Sequence, residues 1–256
     1  MGVHQKIDRV ARRHIRQFLP GGNNFPTTKE ILHFEGRHGP DGIKRKSPGK
    51  DEPWHYIDPA KPHGELLEII HAHQHNLADA LGTGNRERAA FEAAWLAHAI
   101  VDGLTPAHHY PLEEKLSELR AGQGLETRNT VKEKLVLPGK TRRQRLKNNW
   151  EFWGAKGVMT THLNFELGVA TAISTMRFDS LGFAHDLPKT LEKQSFDSEY
   201  ISVLKDISHL GMYEEFSQKG WTRRLARVTK NKLIPEIVRM VMLAWLAAVK
   251  EAEQRA

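Results

Sequence analysis

Between Ala89 and Leu104 the chain reads AAFEAAWLAHAIVDGL, an apolar helical run that contains His98 and Asp102. Residues four apart share one face of a helix, so the imidazole and the carboxylate point the same way. A run this apolar must be buried, and a buried carboxylate is costly unless it is paired or bound to a metal. Whatever the chain folds into, it has to bring cations to this helix.

Gly103 and Pro106 end the run, and His108 stands just past the turn. A second pair with the same spacing, His162 and Glu166, interrupts another apolar segment, VMTTHLNFELGVATAI. One His with a carboxylate a turn away is more often a surface ion pair than a ligand set. Two such pairs inside apolar runs, with His108 beside one of them, point to a metal cluster. Upstream, Trp54-His55-Tyr56-Ile57-Asp58-Pro59 supplies another histidine, Asp41 lies in a glycine- and proline-rich stretch before it, and His4 opens the chain. The chain has 15 histidines and no cysteine, so disulfides and thiolate sites are excluded and any metal must be held by imidazole and carboxylate.

Helical periodicity dominates the rest. Helices are expected at 3–18, 28–34, 63–81, 86–103, 112–119, 150–177, 199–209, 212–227 and 235–252. Asn85 is the expected cap of the segment 86–103, and Pro235 suits a first helical turn. Residues 35–63 read as an irregular ordered loop. Strand-like alternation is scarce, no linker divides the chain, and the expectation is an all-α, multi-helix single domain over residues 1–256.

This ligand order resembles that of the zinc-dependent phospholipase C family of bacteria and of the related single-strand-specific zinc nucleases of fungi and plants. The family pattern is a histidine in the N-terminal helix, a loop Asp, a His before an aromatic and Asp-Pro, a His-x3-Asp-x5-His core and a late His-x3-acid pair. His4, Asp41, His55, His98, Asp102, His108, His162 and Glu166 match it in order. The resemblance implies an all-helical fold around two or three zinc ions. One zinc would take Asp41, His55, His98 and Asp102; a second His108, His162 and Glu166; a third His4, with Asp102 as a bridge. Family members complete the third site with an N-terminal Trp, whereas this sequence begins Met1-Gly2-Val3.

The implied activity is hydrolysis of phosphate esters, with a metal-activated hydroxide attacking phosphorus and Asp41 orienting it or taking its proton. Glu166, where the nucleases usually carry Asp, sides with a phospholipase C-like phosphodiesterase. A single-strand nuclease is the alternative, and a metal-binding protein without turnover a third reading. The substrate partner is then a phospholipid headgroup or single-stranded nucleic acid. The formal net charge of +7 suits an anionic partner.

An insertion at about 120–149 is strongly basic. Residues 128–147 hold eight Lys or Arg against one acidic residue, followed by Trp150 and Trp153. Because the segment is tethered by His108 and His162, it is expected as a loop-borne flap that brings anionic polymer or a membrane surface to the site. No segment is apolar enough to span a bilayer and no signal peptide is visible, so a cytoplasmic location, with peripheral membrane contact, is the default expectation, and secretion the alternative if a leader has been removed. His71, His73 and His75 read as surface residues, His109 as a neighbour of the site, His185-Asp186 as unrelated to it, and Met240, Met242 and Trp245 as core.

Overall fold

A computed structural model describes residues 2–20, 24–47, 55–109, 112–124, 127–176 and 186–255. The fold is all-α, and the described residues contain no strand. In chain order the helices are α1 (Val3–Ile15), α2 (Thr28–His33), α3 (Pro40–Lys44), α4 (Glu65–Gly82), α5 (Arg86–Leu104), α6 (Leu112–Leu119), α7 (Val131–Leu135), α8 (Arg142–Trp153), α9 (Val158–Ile173), α10 (Leu187–Lys193), α11 (Phe196–Ser208), α12 (Met212–Lys219), α13 (Arg223–Val228) and α14 (Ile234–Arg255). None of them is long and apolar enough to cross a membrane.

The core forms around α14, on which α1, α4 and α5 pack. Met240, Met242 and Trp245 are all buried there, and the Trp245 indole donates to the Ala93 carbonyl at 2.9 Å. The alanines of α5 explain how so many helices converge. Ala93, Ala94 and Ala97 are fully buried, and side chains this small let neighbouring backbones come close. The same alanine face carries His98 and Asp102 inward with it.

Asn85 caps α5 as expected, accepting from the Arg88 amide at 3.1 Å. The expected helix over 150–177 divides instead at Gly154–Gly157 into α8 and α9, because a side chain at either glycine would collide with backbone carbonyls of α8. The stretch 35–63 is not wholly irregular. It contains a 3₁₀ turn at Gly36–His38 and then α3, so Asp41 sits in a first helical turn rather than in a loop. The segment 212–227 breaks at Gly220 and restarts on the Thr222 cap. Pro235 lies in the first turn of α14, as expected, although no loop precedes that turn. A π turn, Thr229–Leu233, joins α13 to α14 just before it, which relieves the clash of a proline ring with the preceding turn. The short helices α7 and α10 carry too few turns to show a period.

Behind α9, Phe165 is fully buried against Tyr213, Phe216 and Trp221. Gly168 lets the Trp221 ring lie on the helix, where any Cβ would collide with it. This aromatic cluster fixes the roll of α9, and with it the direction of His162 and Glu166.

A capping box on α2 ties the N-terminal helices to α5. Thr27 accepts from the Glu30 amide at 3.4 Å, and Glu30 returns a bond to the Thr27 amide at 2.7 Å and pairs with Arg86 at 2.5 and 2.9 Å. Hydrogen bonds from Arg86, then Thr27, lower the Glu30 carboxyl from 4.5 to about 2. A depressed pKa stabilises the fold above 4.5, and that stability is lost as pH falls toward 2. Thermal unfolding should therefore show Thr27→Ala losing about 1 kcal/mol. Glu30→Gln should flatten the acid limb of the melting profile in that window.

Candidate metal centre

The last turns of α5 present His98 and Asp102, both almost fully buried. The first turn of α1 brings His4 beside them, its ring stacked on that of His98 at 4.1 Å and 13°. Both imidazoles turn an edge to the same carboxylate. His4 Nε2 lies 3.3 Å from Oδ1 of Asp102, and His98 Nε2 lies 3.3 Å from Oδ2. Glu35, buried at the end of the α2 segment, accepts from His98 Nδ1 through both oxygens at 3.2 and 3.3 Å. That contact orients the ring and turns Nε2 inward, where it can serve as a ligand once a metal displaces its proton. Nε2 has no hydrogen bond of its own, because the Asp102 oxygen lies off its line. Asp41 reaches to 3.9 Å of Nε2 from α3.

A second group forms where the 3₁₀ turn Pro106–His109 follows α5. His108 donates from Nδ1 to the His55 carbonyl at 2.8 Å, while its own carbonyl accepts from the Ile57 amide at 3.1 Å. Thus clamped, Nε2 of His108 points at Oε1 of Glu166, 3.0 Å away, and His162 Nε2 approaches the same oxygen at 3.1 Å. The groups adjoin: Oδ2 of Asp102 lies 3.9 Å from His108. In each of them, His4/His98/Asp102 and His108/His162/Glu166, the ligand atoms lie within 4.8 Å of one another, so two groups of this chain can hold metal ions.

The electrostatics agree with that chemistry. Burial works to lower the pKa of His98, but Asp102 and Glu35 outweigh it and raise it to about 10. His108 is raised in the same way, against its burial, by Asp102 and Glu166. Burial likewise opposes the charges on Asp102 and Glu166, yet Lys44 and the histidines hold the first well below the usual carboxylate range, and His108 and His162 do the same for the second. Asp8, one turn along α1 from His4, is fully buried without a hydrogen-bond partner, and burial followed by Glu35 pushes its carboxyl well up. Carboxylates outnumber fixed cations here, and histidines that hold protons so tightly are sites where a divalent ion can replace the proton. The donors are all nitrogen and oxygen, compatible with zinc and with other first-row metals.

Of the residues marked from sequence, His4, Asp41, His98, Asp102, His108, His162 and Glu166 converge on this centre. His55 also reaches it, but its ring lies against His108 at 5.2 Å and against Tyr56 at 4.2 Å, outside both ligand groups, and its carbonyl is the part that orients a ligand. Trp54 and His185 lie outside the described residues. His71 and His75 make surface pairs with Asp197 and Glu251 at 2.8 and 3.0 Å, and His73 bonds buried Glu92 at 2.5 Å, so none of the three joins the centre. His109 is spent on the Gly103 carbonyl at 2.9 Å, and burial lowers its pKa to about 4.

Besides Asp8, two participants escaped the sequence reading. Glu35 has no motif around it. Lys44, whose Nζ lies 3.3 Å from Asp102 and 3.7 Å from Asp41, was signalled only by its spacing of three from Asp41 on a helix too short to show a period.

No known protein family, characterised protein or solved structure matches this chain. The ligand pattern and this geometry therefore carry the functional argument by themselves.

Outer carboxylates that orient a metal-binding histidine typically govern affinity by about 10–100-fold. Glu35→Gln should weaken zinc binding by about that factor in competition with a chromophoric chelator, with the helical circular dichroism unchanged. Equal affinity would show that Glu35 does not aim His98.

Proposed function

We propose that the chain is a zinc-dependent hydrolase of phosphate esters, similar in its chemistry to phospholipase C. The observation that carries this reading is the meeting of the two ligand groups across Asp102 and His108, at 3.9 Å, with one carboxylate and one ammonium ion facing the same space. Bound zinc would supply Lewis acidity, bringing the pKa of water toward about 7 and countering charge on phosphate oxygens. The remaining work falls to side chains of this chain.

Asp41, beside the first group, is half-exposed, with 47% of its side chain open, which suits it to orient or deprotonate an attacking water. Lys44 is the complementary charge. Although burial opposes it, Asp102 and then Asp41 raise its pKa, so it stays an ammonium ion at neutral pH. An ammonium fixed beside the centre can bind a non-bridging phosphate oxygen and stabilise the charge that grows there. Glu166 is 40% open at the side chain, so the second group also meets solvent.

A single-strand nuclease is the second reading, favoured by the exposed Arg142, Arg143, Arg145 and Lys147. Zinc-loaded protein should be assayed in parallel on short-chain phosphatidylcholine, single-stranded DNA and a small chromogenic diester. Turnover of the lipid and the small diester supports the first reading, and a strong preference for DNA supports the second. Metal-loaded protein inactive on all three would leave a metal-binding protein without turnover. Asp41→Asn should keep most of the zinc and lower kcat by about 10²–10⁴-fold. Lys44→Gln should lower kcat by about 10²–10³-fold, also with zinc retained.

A further inference from the structure

Helix α8 carries apolar side chains on two opposite faces, one packed on the protein and one turned to solvent. Its inner face buries Asn148 and Phe152, as expected. Its opposite, solvent-facing stripe is Leu146, Trp150 and Trp153, which at helical spacing lie in one line. Leu146 is 73% exposed and Trp150 72%. On the helical wheel Arg142 and Arg145 flank this stripe on one side, Arg143 and Lys147 on the other. An apolar stripe bordered by Arg and Lys is the pattern of a helix that lies in a lipid interface.

The rest of the surface supports this. Every large hydrophobic residue that is exposed among the described residues lies on α3, at the end of α7 or just after it, on α8 or on α9, and none lies on α1, α4, α5 or α10 to α14. Of these elements α3 carries Asp41 and Lys44 and α9 carries His162 and Glu166 of the centre, and all four are linked to one another. Lys134 of α7 donates to the Lys44 carbonyl at 2.6 Å, the Trp153 indole donates to the Leu135 carbonyl at 2.8 Å, and Thr160 of α9 donates to the Trp153 carbonyl at 2.9 Å. On α9, Leu163 and Leu167 face out one residue beyond the ligands His162 and Glu166.

We infer that this face docks on an anionic lipid surface, with Leu146 and Trp150 entering the interface and the arginines of α8 meeting headgroup phosphates and acidic lipids. Between residues 140 and 156 there are six Lys or Arg and one carboxylate, Glu151, which is paired with Lys147 at 3.6 Å. The charge therefore fits an acidic surface. Two other occupants fit less well. Single-stranded nucleic acid is held by aromatic platforms in a basic groove, whereas most of this patch is aliphatic. A second copy of the chain packed face to face would set arginines against arginines. As an account of where substrate is met, the inference rests on the hydrolase reading. As a statement about binding it needs no turnover, so the two can fail separately.

The test is flotation of the full, zinc-loaded chain with vesicles of phosphatidylcholine alone and of phosphatidylcholine mixed with phosphatidylserine, at low and high salt. Wild type should bind the mixed vesicles at low salt, with a blue shift of tryptophan fluorescence, and should bind pure phosphatidylcholine weakly. Joint Leu146→Ser and Trp150→Ser replacement should weaken binding by at least about tenfold and remove the blue shift. Replacing Arg142, Arg143 and Arg145 with Ser should weaken binding about a hundredfold at low salt and flatten the salt dependence. Both variants should keep the helical circular dichroism of the wild type, which reports that they fold, and where the wild type turns over a small soluble diester they should match its rate. The inference is overturned if wild type fails to float with acidic vesicles. It is equally overturned if the Leu146/Trp150 variant floats as wild type does, or if those two replacements abolish only DNA binding or self-association.

Discussion

Asp102 is a carboxylate buried on a helix whose other faces are committed to packing, and the centre is organised around the cost of that charge. His4, His98, His108 and Lys44 approach it from α1, α5, the turn after α5 and α3, and hold it ionised against its burial. Removing one partner of a buried charge costs far more than a surface pair contributes, so these elements are constrained to one arrangement. The alanines of α5 make the approach possible, and Glu35 and the His55 carbonyl set the directions of His98 and His108.

The second ligand group is supported differently. His162 and Glu166 are aimed by the aromatic cluster under α9, and His108 is aimed by backbone bonds to His55 and Ile57. Tyr56 joins the two parts of the molecule. It packs on the small core of Leu116, Leu119, Leu137 and Phe152 and also lies 5.5 Å from the His108 ring. The basic insertion is therefore a helical extension with a core of its own, seated against the centre. The sequence reading as a loop-borne flap is corrected to that extent.

The reason for that difference is instructive. Apolar periodicity reports which face of a helix is buried, and on α8 the apolar stripe points to solvent while Asn148 fills an inner position, bonding the Leu119 and Pro138 carbonyls at 2.7 and 2.8 Å. The pattern thus read as polar and unstructured. By contrast, His98, Asp102, His162 and Glu166 were legible because polar residues inside strongly apolar helices are conspicuous. Glu35, Asp8 and Lys44 were not: Glu35 and Lys44 lie where no periodicity exists, and Asp8 reads on α1 as one more polar residue of a surface helix.

The central claim is that the buried carboxylates are balanced by metal ions rather than by protons. Diffraction from crystals grown with zinc, measured on either side of the zinc absorption edge, tests it most directly. The account predicts one anomalous peak about 2.0–2.1 Å from His98 Nε2 and another at a similar distance from His108 Nε2 and His162 Nε2. The same fold with no anomalous peak in either group would mean that His98 and His108 balance Asp102 as imidazolium ions, and would contradict it.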